Sequence, residues 1–471
     1  MRYLALLMFL LLSVAALHAE DPIVLTIHAQ AIESPVLKYR LLPEETELKP
    51  GDAVPILLRL PWEQQTWMQK VYPTLYEWSE RPLSAPEWKT FEQTVPDNFY
   101  REMKRAAFRR EAHWEYPIGE QAAYFILLPD AQGLRMFVGH GLSARIRYHL
   151  SRGDLNEARE GILVGLANSR HIAQTPFFVN QLVAVAIQQM MLQQTTELMA
   201  QPASPNLYWA LSTLPTSLLE LDRAASLEGS LLAMTFPAMN DLDRPRDAEE
   251  WRKMADQLVD LLTQLGELPP EKKDASLLER FLQRLSVAGA IHRTSFVKLA
   301  REELPTMLNL SSDQVAAMSD EEAAIRWYVH IRLNHDQQAS ALLRLPPREA
   351  FPRLAELGKE TAQLRERIGG KGFDFLDPGS LYLSSRSVHR RVQALRIIEA
   401  VRHHLAKHAG NLPQSLDDIH GVPIPHDPLT DKPFAWKVAG NTATLSTPPL
   451  PDTVKADWAK AHHLEYRIEV K

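Results

Sequence analysis

Cysteine is absent from all 471 residues. Disulfides, zinc–thiolate sites, thiol catalysis and a lipobox cysteine for a lipid anchor are therefore excluded, and stability has to come from packing. Glycine is scarce, at 19 residues against 33 prolines, which suits helices closed by proline stops better than a large sheet with glycine turns. Neither sign of charge dominates. A formal net charge of −6 with a pI near 6.3 supplies no global basic field for nucleic acid, which is not an expected partner, and no acidic excess typical of a solvating tail. Catalytic signatures are missing as well. Gly139-His140-Gly141-Leu142-Ser143 has the wrong order for a nucleophile elbow and lies in a helical pattern, and no Rossmann fingerprint or EF-hand loop occurs. No catalytic, cofactor-binding or metal-ligating residue is assigned on this reading. Glu157, Glu160 and Glu220 leave open a carboxylate pair assembled in space, as in glycosidases, but helix-capping acids account for them without catalysis.

What is present begins at the N-terminus. Met1 to Ala19 has the order of an export signal: Arg2, an apolar core over Leu4 to Leu12 and Val14 to Leu17, then Ala19 as the small residue before Glu20. Export with cleavage before Glu20 is the expectation, giving a periplasmic or secreted protein. The apolar stretch falls short of the roughly 20 residues of a membrane span. Ile172 to Thr196 carries no Asp, Glu, Lys or Arg. Its Asn180, Gln181, Gln188, Gln189, Gln193 and Gln194 would be costly in lipid, so a central buried helix is expected rather than a span in the mature chain.

The remainder, 45% apolar and 23% charged, is ordinary globular composition for two or three domains. Residues 20–125 form a Pro- and aromatic-rich region with short strands, expected at Ile23 to Ile27 and Val36 to Leu42 in a pattern that looks extended to about Trp62. Five of the ten tryptophans fall between Trp62 and Trp114; they suit packing against a helical body, or stacking on the sugar rings of a polymer. Residues 126–368 form an α-helical body. Asp154-x-x-Glu157 and Ser319-x-x-Glu322 have capping-box spacing, Thr175-Pro176 and Ser204-Pro205 place a hydroxyl before a first-turn proline, and Pro269-Pro270, Pro305 and Pro346-Pro347 separate later helices. Gly369-Gly370-Lys371-Gly372 marks a boundary. It is no phosphate loop, since Arg365 and Gly372 stand where a glycine and a Ser or Thr are needed.

Residues 386–471 are expected as a small α+β module. A helix over 386–408 carries Val388, Val392, Leu395, Ile398, Val401 and Leu405 on one stripe. Arg386, Arg390, Arg391, Arg396, Arg402 and Lys407 lie off it, opposed only by Glu399. That helix is the candidate contact for an acidic protein or an anionic envelope polymer. His404 and His408 share a helix face, with His403, His420 and His426 near in sequence, but no zinc-protease glutamate follows His404.

Three resemblances follow from these residues. The helix, Gly410-Asn411-Leu412-Pro413-Gln414-Ser415-Leu416, the Pro425 to Phe434 loop and apolar Ala435 to Ser446 resemble, over about 388–447, the soluble C-terminal part of type II secretion major pseudopilins. The helix lacks their N-terminal methylation-and-cleavage motif, so the resemblance implies a pseudopilin-like module on a different protein, whose loop can bind calcium, with Asp427 and Asp431 giving two of the six to eight oxygens it takes. Residues 144–163, with Gly153-Asp154 between two amphipathic stretches, resemble a single tetratricopeptide-like hairpin without a second copy at that period. Pro35 to Pro43 and Pro205 to Leu211 are similar to stretches of uncharacterised exported helical bacterial proteins. The expected fold is thus mainly α, with irregular stacked helical hairpins, a short N-terminal extended region and the C-terminal module. The expected function is an exported envelope binding or scaffold protein. A carbohydrate-active envelope enzyme and an accessory component of a secretion or surface-assembly system are the alternatives.

Overall fold

The computed structural model describes residues 22–63, 65–95, 97–115, 131–215, 221–264, 294–367 and 378–471. The expected export signal over 1–19, Glu220 and the glycine-rich stretch 369–372 lie outside them. The chain is mainly α, with a small sheet built largely from its C-terminal end. Among the described residues, no helix is long and apolar enough to cross a membrane. The described residues divide into two compact units, one drawn from 225–264, 294–367 and 378–379 and the other from 22–115, 131–215, 221–224 and 380–471.

In the larger unit, helices α1 (Val54–Glu63), α2 (Gln65–Glu80) and α3 (Asp97–Ala107) precede α4 (Leu142–Arg152), α5 (Leu155–Ala173) and α6 (Phe178–Met199). Thus 54–63 is helical where an extended chain was expected. Only Ile23–Ile27 (β1) forms the anticipated N-terminal strand. Residues 36–42 hold turns instead. Their Val36 and Leu37 are 54% and 41% exposed while Leu41 is buried, so the apolar residues do not share one buried face, and the Lys38 amide turns back to the Pro35 carbonyl at 3.0 Å instead of pairing with a strand. Trp78, Trp88 and Trp114 are buried, and Trp78 and Trp88 pack with Phe91 at ring separations of 5.0–6.0 Å. Packing, not a sugar platform, accounts for these three.

The α4–α5 hairpin turns at Gly153, whose φ of +78° places it in the left-handed region that favours glycine. A side chain at Gly161 would bring a Cβ within 2.7 Å of Ile146, so glycine sets how closely α5 approaches α4. Helix α6 is buried on nearly every face, as the absence of charge over Ile172 to Thr196 predicted. It begins after a break at 174–177, with Phe177 rather than Thr175 at the cap. Asp154 and Ser204 likewise make no side-chain cap, whereas Ser319 accepts from the Glu322 amide.

The smaller unit contains α8 (Ala248–Gln264), α9 (Thr294–Met307), α10 (Asp320–Leu342) and α11 (Pro347–Arg367), following α7 (Leu221–Thr235), which runs into it. Its core gathers Phe236, Trp251, Met254, Leu304, Trp327 and Val329. Pro305 lies inside α9 rather than after it, near the helix end.

Helix α12 (Pro378–Lys407) returns the chain to the larger unit. Strands β4 (Ala435–Ala439), β5 (Thr442–Ser446) and β6 (Glu465–Val470) follow, while β2 (Lys49–Asp52) and β3 (Arg109–Glu111) pair separately. The sheet order is β1-β6-β5-β4, antiparallel except that β1 runs parallel to β6 with Ile23 opposite Tyr466. Segment 386–471 is therefore not closed on itself: its sheet is completed by residues 23–27.

Candidate functional site

All six stripe positions of α12, Val388 to Leu405, are buried. Much of the rest of the helix is buried too, so only part of the expected basic surface is presented: Arg386 and Arg396 are half-buried and Lys407 is exposed, whereas three arginines are interior. Arg390, Arg391 and Arg402 are 1%, 4% and 0% exposed. Arg390 clasps Asp427 through Nε to Oδ1 at 2.8 Å and Nη2 to Oδ2 at 3.1 Å, and donates also to the carbonyls of His462 and Pro448. This occupies Asp427, which accepts from Thr430 Oγ1 as well. The Asp427 and Asp431 pair is thereby separated as a cation site, for Asp431 is 95% exposed. Arg402 pairs with Glu399 at 3.0 Å and donates to the carbonyls of His28, Ser204 and Pro205. Burial pushes the Glu399 carboxyl up against the pull of Arg402 and the Leu207 amide. Asn206 closes the junction by donating to Gln30 and Glu399 carbonyls. Two arginines of the basic helix are thus interior struts, because backbone carbonyls distant in sequence converge on them.

The other three have no carboxylate partner among the described residues. Arg386 lies 5.2 Å from the Tyr382 ring and hydrogen-bonds that tyrosine. Arg396 donates to Gln393 Oε1 at 2.7 Å and to the Tyr208 hydroxyl at 3.1 Å, over whose ring it sits at 5.1 Å. Arg391 reaches only the amide oxygens of Gln189 and Gln193. Arg386 and Arg396 are half-buried, and with His389 and Gln393 they occupy one helix face at spacings of three and four. His389, bonded to Gln393, is pushed down to about 4, by burial first and then by Arg386 and Arg396, with Asp427 pulling the other way. The face therefore presents two cations flanking a neutral imidazole, and it can take up an anion without displacing a carboxylate of the described residues.

Other groupings serve packing. His404 and His408 stack at 3.9 Å, His408 Nδ1 bonds the His404 carbonyl, and His403 Nδ1 accepts from the Ile32 amide. No cluster of three metal-ligating side chains occurs among the described residues. Burial raises the Glu160 carboxyl, but the hydrogen bonds it accepts from Lys104 and Tyr100, together with the charges of Lys104 and Arg159, hold it below the usual range. Glu157 is half-exposed beside Arg145 at 3.9 Å. Sequence reasoning missed two serine–histidine pairs, Ser79 with His140 at 2.9 Å and Ser387 with His462 at 2.8 Å, since nothing local signals a contact 61 or 75 residues away. Both serine hydroxyls are also within donating distance of a backbone carbonyl, Tyr76 and Leu383. All four residues are buried, so neither pair can meet a substrate as built. An open groove of about 330 Å³ between α10 and α11 is lined by Leu342, Leu345 and Leu357 and rimmed by Arg353, Glu356 and Glu360. Arg353 is already paired with Glu356 at 2.8 Å.

No protein family, curated protein or solved structure matches this chain.

Proposed function

We propose that the chain is an exported binding or scaffold protein of the bacterial envelope, and that it holds an anionic envelope polymer or an acidic protein surface through the Arg386, His389 and Arg396 face of α12. One observation carries this reading. On a single helix, Arg390 and Arg402 each have a carboxylate, while Arg386 and Arg396, which reach solvent, have aromatic rings and neutral oxygens. A guanidinium over an aromatic ring keeps its charge available to a bidentate oxyanion. The export-like N-terminus supports the envelope address, and N-terminal sequencing of the mature protein should begin at Glu20.

Sodium polyphosphate and poly-L-glutamate are suitable probes. The double change Arg386→Ala with Arg396→Ala should weaken their binding about tenfold or more and flatten its dependence on salt, because exposed charge pairing is screened beyond about 8 Å at physiological ionic strength. Circular dichroism should be unchanged. Equal affinity in the variant and the parent would refute the assignment.

A further inference from the structure

Arg391 follows Arg390 on α12, yet it is satisfied differently. It is 4% exposed and meets only glutamine oxygens. Arg390, its neighbour, uses its Nε–Nη2 edge for both oxygens of Asp427. The same edge of Arg391 carries only the Gln193 amide oxygen on Nη2, and Nε has no partner. Nη1 reaches Gln189 Oε1 at 3.4 Å, at the limit of a hydrogen bond, and Gln189, itself 1% exposed, has an unpartnered Nε2. A guanidinium removed from water and answered only by neutral dipoles is poorly compensated. The way in is through Gln193. That residue is half-exposed and lies one turn before Glu197, also half-exposed, on the solvent side of α6.

We infer that the Nε–Nη2 edge of Arg391 is a second, internal anion site, which takes a single oxyanion, a carboxylate or a phosphate, as the Gln193 side chain swings outward. The anion receives two parallel N–H bonds, the geometry Asp427 already shows on Arg390, in place of one neutral amide contact. Binding leaves the covalent structure and the fold unchanged. The site is distinct from the Arg386 and Arg396 face and does not depend on it.

The test is a titration with inorganic phosphate and, separately, acetate at constant ionic strength, followed by calorimetry and thermal shift with chloride as the reference. The wild type should show saturable binding of one equivalent of phosphate, acetate or both, and the responding anion identifies which oxyanion the edge prefers. Arg391→Gln should abolish it, whereas Arg386→Ala with Arg396→Ala should retain it, which separates this site from the polymer-binding face. Gln193→Ala removes the competing amide while keeping the guanidinium, and should bind on the order of fivefold more tightly, one neutral hydrogen bond no longer competing. A response equal to that of chloride, or an unchanged affinity in Gln193→Ala, would overturn the site even if Arg391→Gln fails to fold.

Discussion

An arginine's role on α12 is decided by what faces it. Arg390 is closed in by a carboxylate and two carbonyls, so removing Asp427 strands a charge in the interior. Asp427→Ala should cost about 3–5 kcal/mol in chemical denaturation, the usual penalty for breaking a buried pair, whereas Asp431→Ala, at a 95% exposed position, should change little. Histidine burial gives a second residue-scale prediction. His140 is pushed from 6.5 down to about 4, mainly by burial and further by Arg135. The folded ring therefore stays neutral where the unfolded one is protonated, unfolding takes up a proton between those values, and stability falls as pH drops from 6.5 toward 4. Replacing His140 by Gln should flatten that part of a stability–pH curve measured by urea titration; an unaltered slope would show that His140 does not contribute.

Among the elements, those with strong periodicity were legible in the sequence and those depending on remote partners were not. The stripe from Val388 to Leu405 is buried as its spacing required, and α6, without charge as far as Thr196, is interior. Strand β1 lies where its β-prone residues placed it, but its partner β6 is at the opposite end of the chain, a pairing that no local pattern encodes. The interior arginines were hidden for the same reason: Arg402 is held by carbonyls at 28, 204 and 205, and a sequence pattern counts its charge without those acceptors. The 36–42 run misled because β propensity describes a half-buried pleated surface, and here Val36 and Leu37 stay exposed while Leu41 is buried. Close helix packing yields a further expectation. At Gly161 the neighbouring Ile146 would have to move for any side chain to fit, so Gly161→Val should destabilise by about 1–3 kcal/mol through overpacking, while Gly358→Ala, with nothing within 4 Å of an added Cβ, should be neutral or slightly stabilising because alanine favours a helix over glycine. Denaturation midpoints of the two variants test this contrast.

For the molecule as a whole, two units with separate cores imply that damage to one need not be felt by the other. Trp327, fully buried in the smaller unit and bonded through Nε1 to Glu303, and Ile398, fully buried on α12, belong to different cores. Calorimetry should resolve two transitions, with Trp327→Ala lowering one and Ile398→Ala the other. A single transition lowered equally by both would mean one cooperative core.

The account of function rests on the Arg386, His389 and Arg396 face receiving an anion, and His389 sits where that event can be observed. Arg386 and Arg396 depress its ring together with burial, while Asp427 opposes them; an oxyanion settling between the arginines adds negative charge beside the imidazole and favours its protonated form. Titration of the His389 ring by NMR, assigned through His389→Gln, should move from about 4 in the free protein to a clearly higher pH with saturating sodium polyphosphate. An unchanged His389 midpoint while polyphosphate is bound would contradict the account.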